Sequence, residues 1–344
     1  MSRKRIVLLI IALGLAVVIF FTGQWFYKAM KKPLVVIDDD YAVFYIPTGS
    51  NFEYVAGRLY EQNIIEDTVL FREFAELKKY KNNIKPGRYK IEKGLTVNEL
   101  VSKLRSGDQW PVRLTFNNIR FLPKLAGIVG RKLEADSAVL MSLLTDPGFL
   151  KEYNLEPRTA ISLFIPDTYE FFWNTSARGF VERMKREYDK FWNKERRAKA
   201  MEIGLKPLDV IILASIIQEE TNKTDEMSRM AGVLINRLKR GMKLQADPTA
   251  RFAYGDFSVK RIKTDYTKIE SPYNTYYVTG LPPGPITMAE PRVIDAVLNY
   301  EHHNYLFYCA KADGSGYHVF AKTNAQHSRN ARAYHRYLNR NRIR

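Results

Sequence analysis

The chain has 344 residues, 46% hydrophobic and 13% aromatic, which is enough apolar material for one large core or two modest ones and excludes a disordered polymer. Its 54 Lys and Arg against 37 Asp and Glu give a formal charge of +17, favouring an anionic partner: nucleic acid, an anionic membrane surface or an acidic polymer. The single cysteine, Cys309, excludes an intrachain disulfide and a cysteine zinc cluster, and within the apolar run "YLFYCA" it reads as core.

In chain order, the first strong signal is the uncharged segment 6–27, which follows Arg3, Lys4 and Arg5 and closes on Trp25, Phe26 and Tyr27. As a helix it spans about 30 Å, enough to cross a bilayer, with its aromatics at an interface. It is too long for the apolar core of a signal peptide, and no small-x-small cleavage site follows, so a retained single-pass anchor is expected. Residues 1–5 then form a cytoplasmic tail and the bulk of the chain lies outside the cytoplasm, although Lys28, Lys31 and Lys32 also place positive charge on the far flank.

Residues 28–42 read as a linker into a small α/β module over 43–108. A turn at Pro47 to Ser50 precedes Phe52, Val55 and Leu59 at helical spacing, and a second helix is expected over Val69, Phe71, Phe74, Ala75 and Leu77. Then come a turn at Pro86-Gly87, a short strand, a turn at Gly94, and a helix opened by Thr96 as N-cap with Glu99 three residues on. A boundary falls near Gly107 to Pro111, and 109–344 reads as a second, mixed domain, making the whole chain α+β.

In that domain "VRLTF" reads as a strand, Pro123 to Leu133 as a helix, and "SLFIPDTYEFFW" as a strand with a Pro-Asp turn. Residues 178–204 read as one long helix with Phe180, Met184, Tyr188 and Phe191 on one side and solvated basic residues elsewhere. Pro207 suits a helix first turn, and "LDVIILASIIQEET" is apolar nearly all round, predicting a buried helix. "MAGVLINRLKRG" is a second helix ended by Gly241. "MKLQADPTARFAYG" and "SPYNTYYVTGLPPGPI" follow as polar and aromatic loops, where sites tend to be built. Two strands joined by an Asp-Gly turn and a basic C-terminal helix complete the chain.

The buried helix carries Glu219 and Glu220 at its end. On a helix Glu220 shares a stripe with Asp209, Leu213, Ile216 and Ile217, and Glu219 one with Ile212, Ser215 and Ile216. Apolar neighbours desolvate a carboxylate and raise its pKa, as a general acid near neutral pH requires. The same spacing also fits acids solvated where the helix surfaces, and it does not separate Glu219 from Glu220.

All five histidines (His302, His303, His318, His327 and His335) lie near the C-terminus without the H-x-x-x-H and Glu spacing of a hydrolytic zinc site, so no metal is expected. Nucleophile elbow, phosphate loop and dinucleotide fingerprint are all missing, and no cofactor is expected. What remains is carboxylate chemistry in an aromatic, Asn- and Gln-bearing cleft, as used on sugar polymers.

Several blocks bear a family likeness. "LASIIQEET", "GVLINRLKRGMKLQADPTARFAYG", "SPYNTYYVTGLPPGPI" and "YLFYCAKADGSGYHVFAKTNAQHSRN" resemble, in order and spacing, the signature blocks of the MltG or YceG-like family of murein transglycosylases. "GRLYEQNIIEDTVLFREFA" and "KPGRYKIEKGLTVNELVSKLRSG" look like its LysM-like module, and "LFIPDTYEF" like its "LFPDTY" block. The resemblance covers the chain from about residue 43. It implies an α+β enzyme of the bacterial inner membrane: one transmembrane helix, a LysM-like module at 43–108 and a catalytic domain at 109–344 on the extracytoplasmic side.

Such an enzyme cuts the β-1,4 bond between N-acetylmuramic acid and N-acetylglucosamine inside peptidoglycan glycan strands and leaves 1,6-anhydro ends. The family pattern resembles "ASIVEKET", with the catalytic glutamate in its final "ET" pair, which implies Glu220 here. Gln218 and Glu219 replace that version's first glutamate and its lysine. Gln245, Asp247, Tyr273, Asn274 and Thr275 fall in matched blocks and are implied to orient the sugar or Glu220, or to brace the loops. His318 and His327 also fall in a matched block, as cleft-closing or structural residues. Two blocks depart: "FNNIRFLPKLAGIVG" lacks the glutamate and glycine of the family's "IPEG", and "TAISLFIP" lacks an "EG" before its match. Glycan strands are the implied substrate and peptidoglycan synthases implied partners; a non-catalytic peptidoglycan-binding scaffold is the alternative. Nucleic acid is not expected as a partner, being supported by charge alone.

Overall fold

The computed structural model describes residues 3–257 and 264–341. The first two residues of the expected tail and the last three of the basic C-terminal helix lie outside that set. The chain divides into two compact units, one of residues 1–113 with 132–134 and 170–175, the other of 114–131, 135–169 and 176–344.

The first unit opens with α1 (Arg3–Lys31), whose stretch Arg3–Tyr27 is long and apolar enough to cross a membrane. Beyond it, β1 (Tyr41–Ile46) and β2 (Gly87–Glu92) pair antiparallel with Phe44 opposite Tyr89. Helices α2 (Phe52–Glu61), α3 (Val69–Leu77) and α4 (Val97–Ser106) cover this ribbon. Each expected element of the module is present. Asn51 caps α2 by accepting from the Tyr54 N–H, and Thr96 with Glu99 forms the expected capping box on α4. The apolar stripes of the helices meet the inward residues of the ribbon, so Phe44, Ile46, Leu59, Phe71, Tyr89 and Leu100 are fully buried together. Strand β3 (Val112–Thr115) follows and pairs with β4 (Thr168–Phe171).

The second unit is mostly helical: α5 (Leu122–Lys132), α6 (Ser137–Thr145), α7 (Pro147–Lys151), α8 (Ala177–Phe191) and α9 (Lys194–Glu202) precede its core. At the centre lies α10 (Pro207–Glu220), buried along its length from Val210 to Ile217, as its apolar circumference requires. It packs on α11 (Thr224–Lys239) and α14 (Pro291–Leu298), with α12 (Asp247–Tyr254) and the single turn α13 (Thr264–Thr267) nearby in sequence between them. A hairpin of β5 (Phe307–Ala310) and β6 (His318–Ala321) and the helix α15 (Asn324–Arg340) finish the unit.

Three expectations are corrected. The long helix over 178–204 is two helices, because Trp192 turns into the core at 1% exposure and Asn193 caps α9 by accepting the Arg196 N–H. The segment "SLFIPDTYEFFW" is a strand only over β4, since its first residues close a 3-10 turn, Ala160–Leu163. Within the expected loop at 242–255 stands α12, whose proline occupies the helix's first turn, a position needing no N–H.

Gly232 lets α11 approach the 301–303 segment: a Cβ there would lie 2.4 Å from the Glu301 carbonyl oxygen and 2.7 Å from His303 Nε2. Gly232→Ala is therefore expected to destabilise the fold by about 1–3 kcal/mol, read as a lowered thermal midpoint; an unchanged midpoint would contradict this close packing.

Candidate active site

Ser215, buried in mid-α10, donates to the Ile212 carbonyl and accepts the Ile286 N–H at 3.1 Å, fastening the helix to the 286–290 strand of chain beside it. Gln218 continues this seam. Its amide nitrogen donates to the Met288 carbonyl at 2.9 Å, and its amide oxygen accepts the Glu290 N–H at 2.7 Å. The amide supplies both a donor and an acceptor, so Gln218 is a brace that an ionised glutamate could not reproduce.

The next two residues separate sharply. Glu219 pairs with Arg120 at 2.5 Å, and that guanidinium also lies 4.0 Å over the Phe257 ring. Among the described residues, Glu220 forms no ion pair. Its Oε1 accepts the Tyr308 phenol at 3.0 Å, from β5, and the Asp247 backbone N–H at the start of α12 favours its ionised form. The residue keeps partial solvent access at the helix end, while protein closes around its carboxyl. Burial and then the neighbouring Asp247 carboxylate push its pKa up to about 8, and the Tyr308 bond, the Arg251 charge and the Asp247 N–H hold it from rising further. The C-terminal end of α10 acts in the same direction as burial, since a helix C-terminus disfavours an anion. The result is a carboxyl that is mostly protonated at neutral pH yet has donors ready for its ionised form, as one group serving first as acid and then as base requires.

Asp247 is committed on its far side, where Oδ1 accepts the Tyr276 phenol at 2.6 Å. Burial and the Asp247 charge drive the Tyr276 hydroxyl well above its usual pKa, so it stays a neutral donor. Gln245 adopts a left-handed backbone (φ 50°), with its N–H on the Thr275 carbonyl at 3.1 Å and its amide oxygen accepting Arg237 at 3.3 Å. That turn aims the first N–H of α12 at Glu220. Thr275 is fully buried; its hydroxyl accepts the Ala246 N–H and shares a 2.7 Å bond with the Thr249 hydroxyl. Asn274, also fully buried, donates to the carbonyls of Tyr266, Thr267 and Ile269 and accepts the Tyr276 N–H. Tyr273 packs on Phe252 and lines a cavity of about 300 Å³ with Arg120, Phe121, Arg158 and Ile161. Among the described residues no three His, Cys, Asp or Glu side chains converge as metal ligands.

Geometry of this kind has relatives. The profile of the YceG-like family matches residues 44–333. The chain belongs to the YceG-like family. It is 27% identical over 334 residues to an endolytic murein transglycosylase of Bacillus subtilis, covering 91% of this chain and 90% of that protein. An endolytic murein transglycosylase of Streptococcus pneumoniae is 24% identical over 345 residues, covering 90% of this chain and 61% of that longer protein. The crystal structure of a YceG-like protein from Listeria monocytogenes superposes with a TM-score of 0.54 at 25% identity, covering 85% of this chain and 99% of that one.

In this YceG-like chain most of the residues singled out from the matched blocks gather around one point: Glu220 and Asp247 face each other, Gln245 and Thr275 fix the backbone that carries Asp247, and Asn274 holds the backbone of Tyr276, whose phenol bonds Asp247. Tyr273 stands apart in the aromatic cavity. His318 is held by Glu226 and His327 stacks on Phe307 at 5.3 Å, where burial lowers its pKa and keeps it neutral. Four residues escaped the reading of the sequence: Tyr308, Tyr276, Arg237 and Glu226. Tyr308 lies within a strand of apolar aspect, and the other three carry no spacing signal, because each has at least one partner in a distant segment.

Proposed function

We propose that this chain is a membrane-anchored lytic transglycosylase that cuts peptidoglycan glycan strands internally at the bond between N-acetylmuramic acid and N-acetylglucosamine. The observation that carries the reading is Glu220: a buried carboxyl with a pKa of about 8, with no ion pair among the described residues, beside a committed Asp247. Protonated Glu220 gives its proton to the glycosidic oxygen as the bond to C1 breaks and an oxocarbenium-like state forms. The carboxylate left behind takes the proton of the muramic C6 hydroxyl while O6 bonds to C1. The products are a free 4-hydroxyl on one fragment and a 1,6-anhydro ring on the other, with Glu220 reprotonated. The nucleophile belongs to the substrate, so no second carboxylate need attack.

Asp247 keeps Glu220 protonated before the step and its backbone N–H steadies the anion after it. Gln245, Asn274 and Thr275 position Asp247, and Tyr273 offers a ring face to a sugar. The module at 43–108 is LysM-like and holds the strand, α1 anchors the enzyme in the inner membrane with that module and the catalytic domain outside the cytoplasm, and the formal charge of +17 suits acidic wall and lipid surfaces. Internal cutting ends strand growth, which makes peptidoglycan synthases natural partners; a co-purification that recovers none would count against that association.

Full-length protein in detergent, given purified glycan strands, is expected to shorten them from within and to leave anhydro-muramic ends by mass spectrometry. Strands bound but uncut would instead favour a scaffold.

A further inference from the structure

Resting on Glu220 as acid and base, we propose that Tyr308 is a positioning residue that fixes which Glu220 oxygen carries the mobile proton, and that Glu226 latches the hairpin that supplies it. A carboxyl that must give and then take a proton within one turnover works only if it does not rotate between the two. The Tyr308 phenol donates to Oε1 at 3.0 Å, which disfavours a proton on that oxygen and favours Oε2 as the one that carries it. The phenol is itself a fixed donor, since burial first and then the Glu220 charge hold its pKa well above its usual value. Such a bond is stronger to a carboxylate than to a carboxylic acid, so it strengthens as the proton leaves.

Both ends of the hairpin are pinned. Glu226, 3% exposed on the first turn of α11, accepts the His318 N–H at 2.7 Å with one oxygen. With the other it meets the hydroxyl of Thr221, the residue after Glu220, and His318 Nδ1, each at 3.4 Å. One carboxylate thus ties the end of α10 to the first residue of β6, and β6 pairs with β5 so that Tyr308 lies opposite Phe320. Two residues before Tyr308, the Leu306 carbonyl accepts Arg237 Nε at 2.5 Å.

The charged and titratable groups facing Glu220 are Asp247 and Arg251 on α12 and Tyr308 on β5, with Tyr276 facing Asp247 and sensing Glu220. Those facing Tyr308 are Glu220, Asp247 and Arg237, with the His318 ring edge-on at 5.7 Å. Asp225 bonds Tyr317 beside the latch, and Lys223 lies over that ring.

Tyr308→Phe deletes one hydroxyl and nothing of the ring. In the full-length protein, carbon-13 titration of the Glu220 carboxyl is expected to show its midpoint raised by about one pH unit, because the bond lost favoured the ionised form. The kcat is expected to fall about tenfold with KM within twofold, and the alkaline limb of the kcat profile to follow the midpoint. Glu226→Ala is expected to lower kcat similarly, and the double variant to be no worse than the weaker single one, as members of one unit behave. An unmoved midpoint with an unchanged kcat in Tyr308→Phe, or additive losses in the double variant, would overturn the proposal. A shifted midpoint in a protein that never produces anhydro ends would leave the positioning intact and refute the reaction instead.

Discussion

Glu220→Gln is expected to lower glycan cleavage by about 10³-fold or more, because the amide neither gives nor takes the proton of the proposed steps. The fold should survive, and at high pH it should improve. A carboxyl with a pKa of about 8 in the folded protein and an ordinary value in the unfolded chain binds its proton more tightly when folded. Its contribution to stability is therefore lost as pH rises from the unfolded value of about 4.5 toward 8 and is constant above that. Glutamine removes this loss, so the variant should exceed the wild type by about 3–5 kcal/mol at pH 9 and match it near pH 4. The wild-type rate should fall about tenfold per pH unit above pH 8 as the acid ionises. A variant that keeps its rate, or one whose stability gain appears only at low pH, would show that Glu220 is neither buried nor acidic in the way described.

Arg237→Ala should be the costliest change away from Glu220. Arg237 is 7% exposed and donates to the carbonyls of Leu306, Lys243 and Leu244 and to the Gln245 side chain, with the Phe307 ring 5.0 Å away. It joins the strand that bears Tyr308 to the turn that leads into Asp247. Burial lowers its pKa, but carbonyl acceptors and the nearby phenols keep the guanidinium as a charged fastener. Truncation leaves these buried acceptors unpaired and is expected to cost about 3–5 kcal/mol, by denaturant unfolding. Activity should fall further than in Tyr308→Phe, since both walls loosen at once. Arg237→Lys restores the charge without the fork and should recover only part of the loss. Full stability in Arg237→Ala would mean that the two walls are held by other contacts.

How far the sequence reaches is clearest on α10. Its apolar circumference predicts a buried helix, and Pro207 sets its start, because both are local properties of fourteen consecutive residues. The choice between Glu219 and Glu220 is not local. Arg120, 99 residues away, neutralises one, and Tyr308, 88 residues away, bonds the other. Spacing on a helix contains neither fact. Family resemblance pointed to Glu220, and the geometry supplies a physical reason for the difference: one glutamate is a paired ion, the other an acid. The α8–α9 break was readable in principle, since Asn193 begins a helix as asparagines do, but the basic run around it continues the helical period and conceals the cap. Helix α12 was obscured by its own proline. Tyr276, Arg237 and Glu226 each make at least one hydrogen bond to a segment that no pattern in the chain brings near.

The most direct test of the central claim is digestion of glycan strands by the full-length enzyme in water enriched in oxygen-18, with the cut ends weighed by mass spectrometry. If Glu220 serves as acid and then as base for the C6 hydroxyl, the muramic ends should be anhydro and carry no heavy oxygen. Reducing ends bearing one oxygen-18 each would mean that water attacked, and would contradict the account.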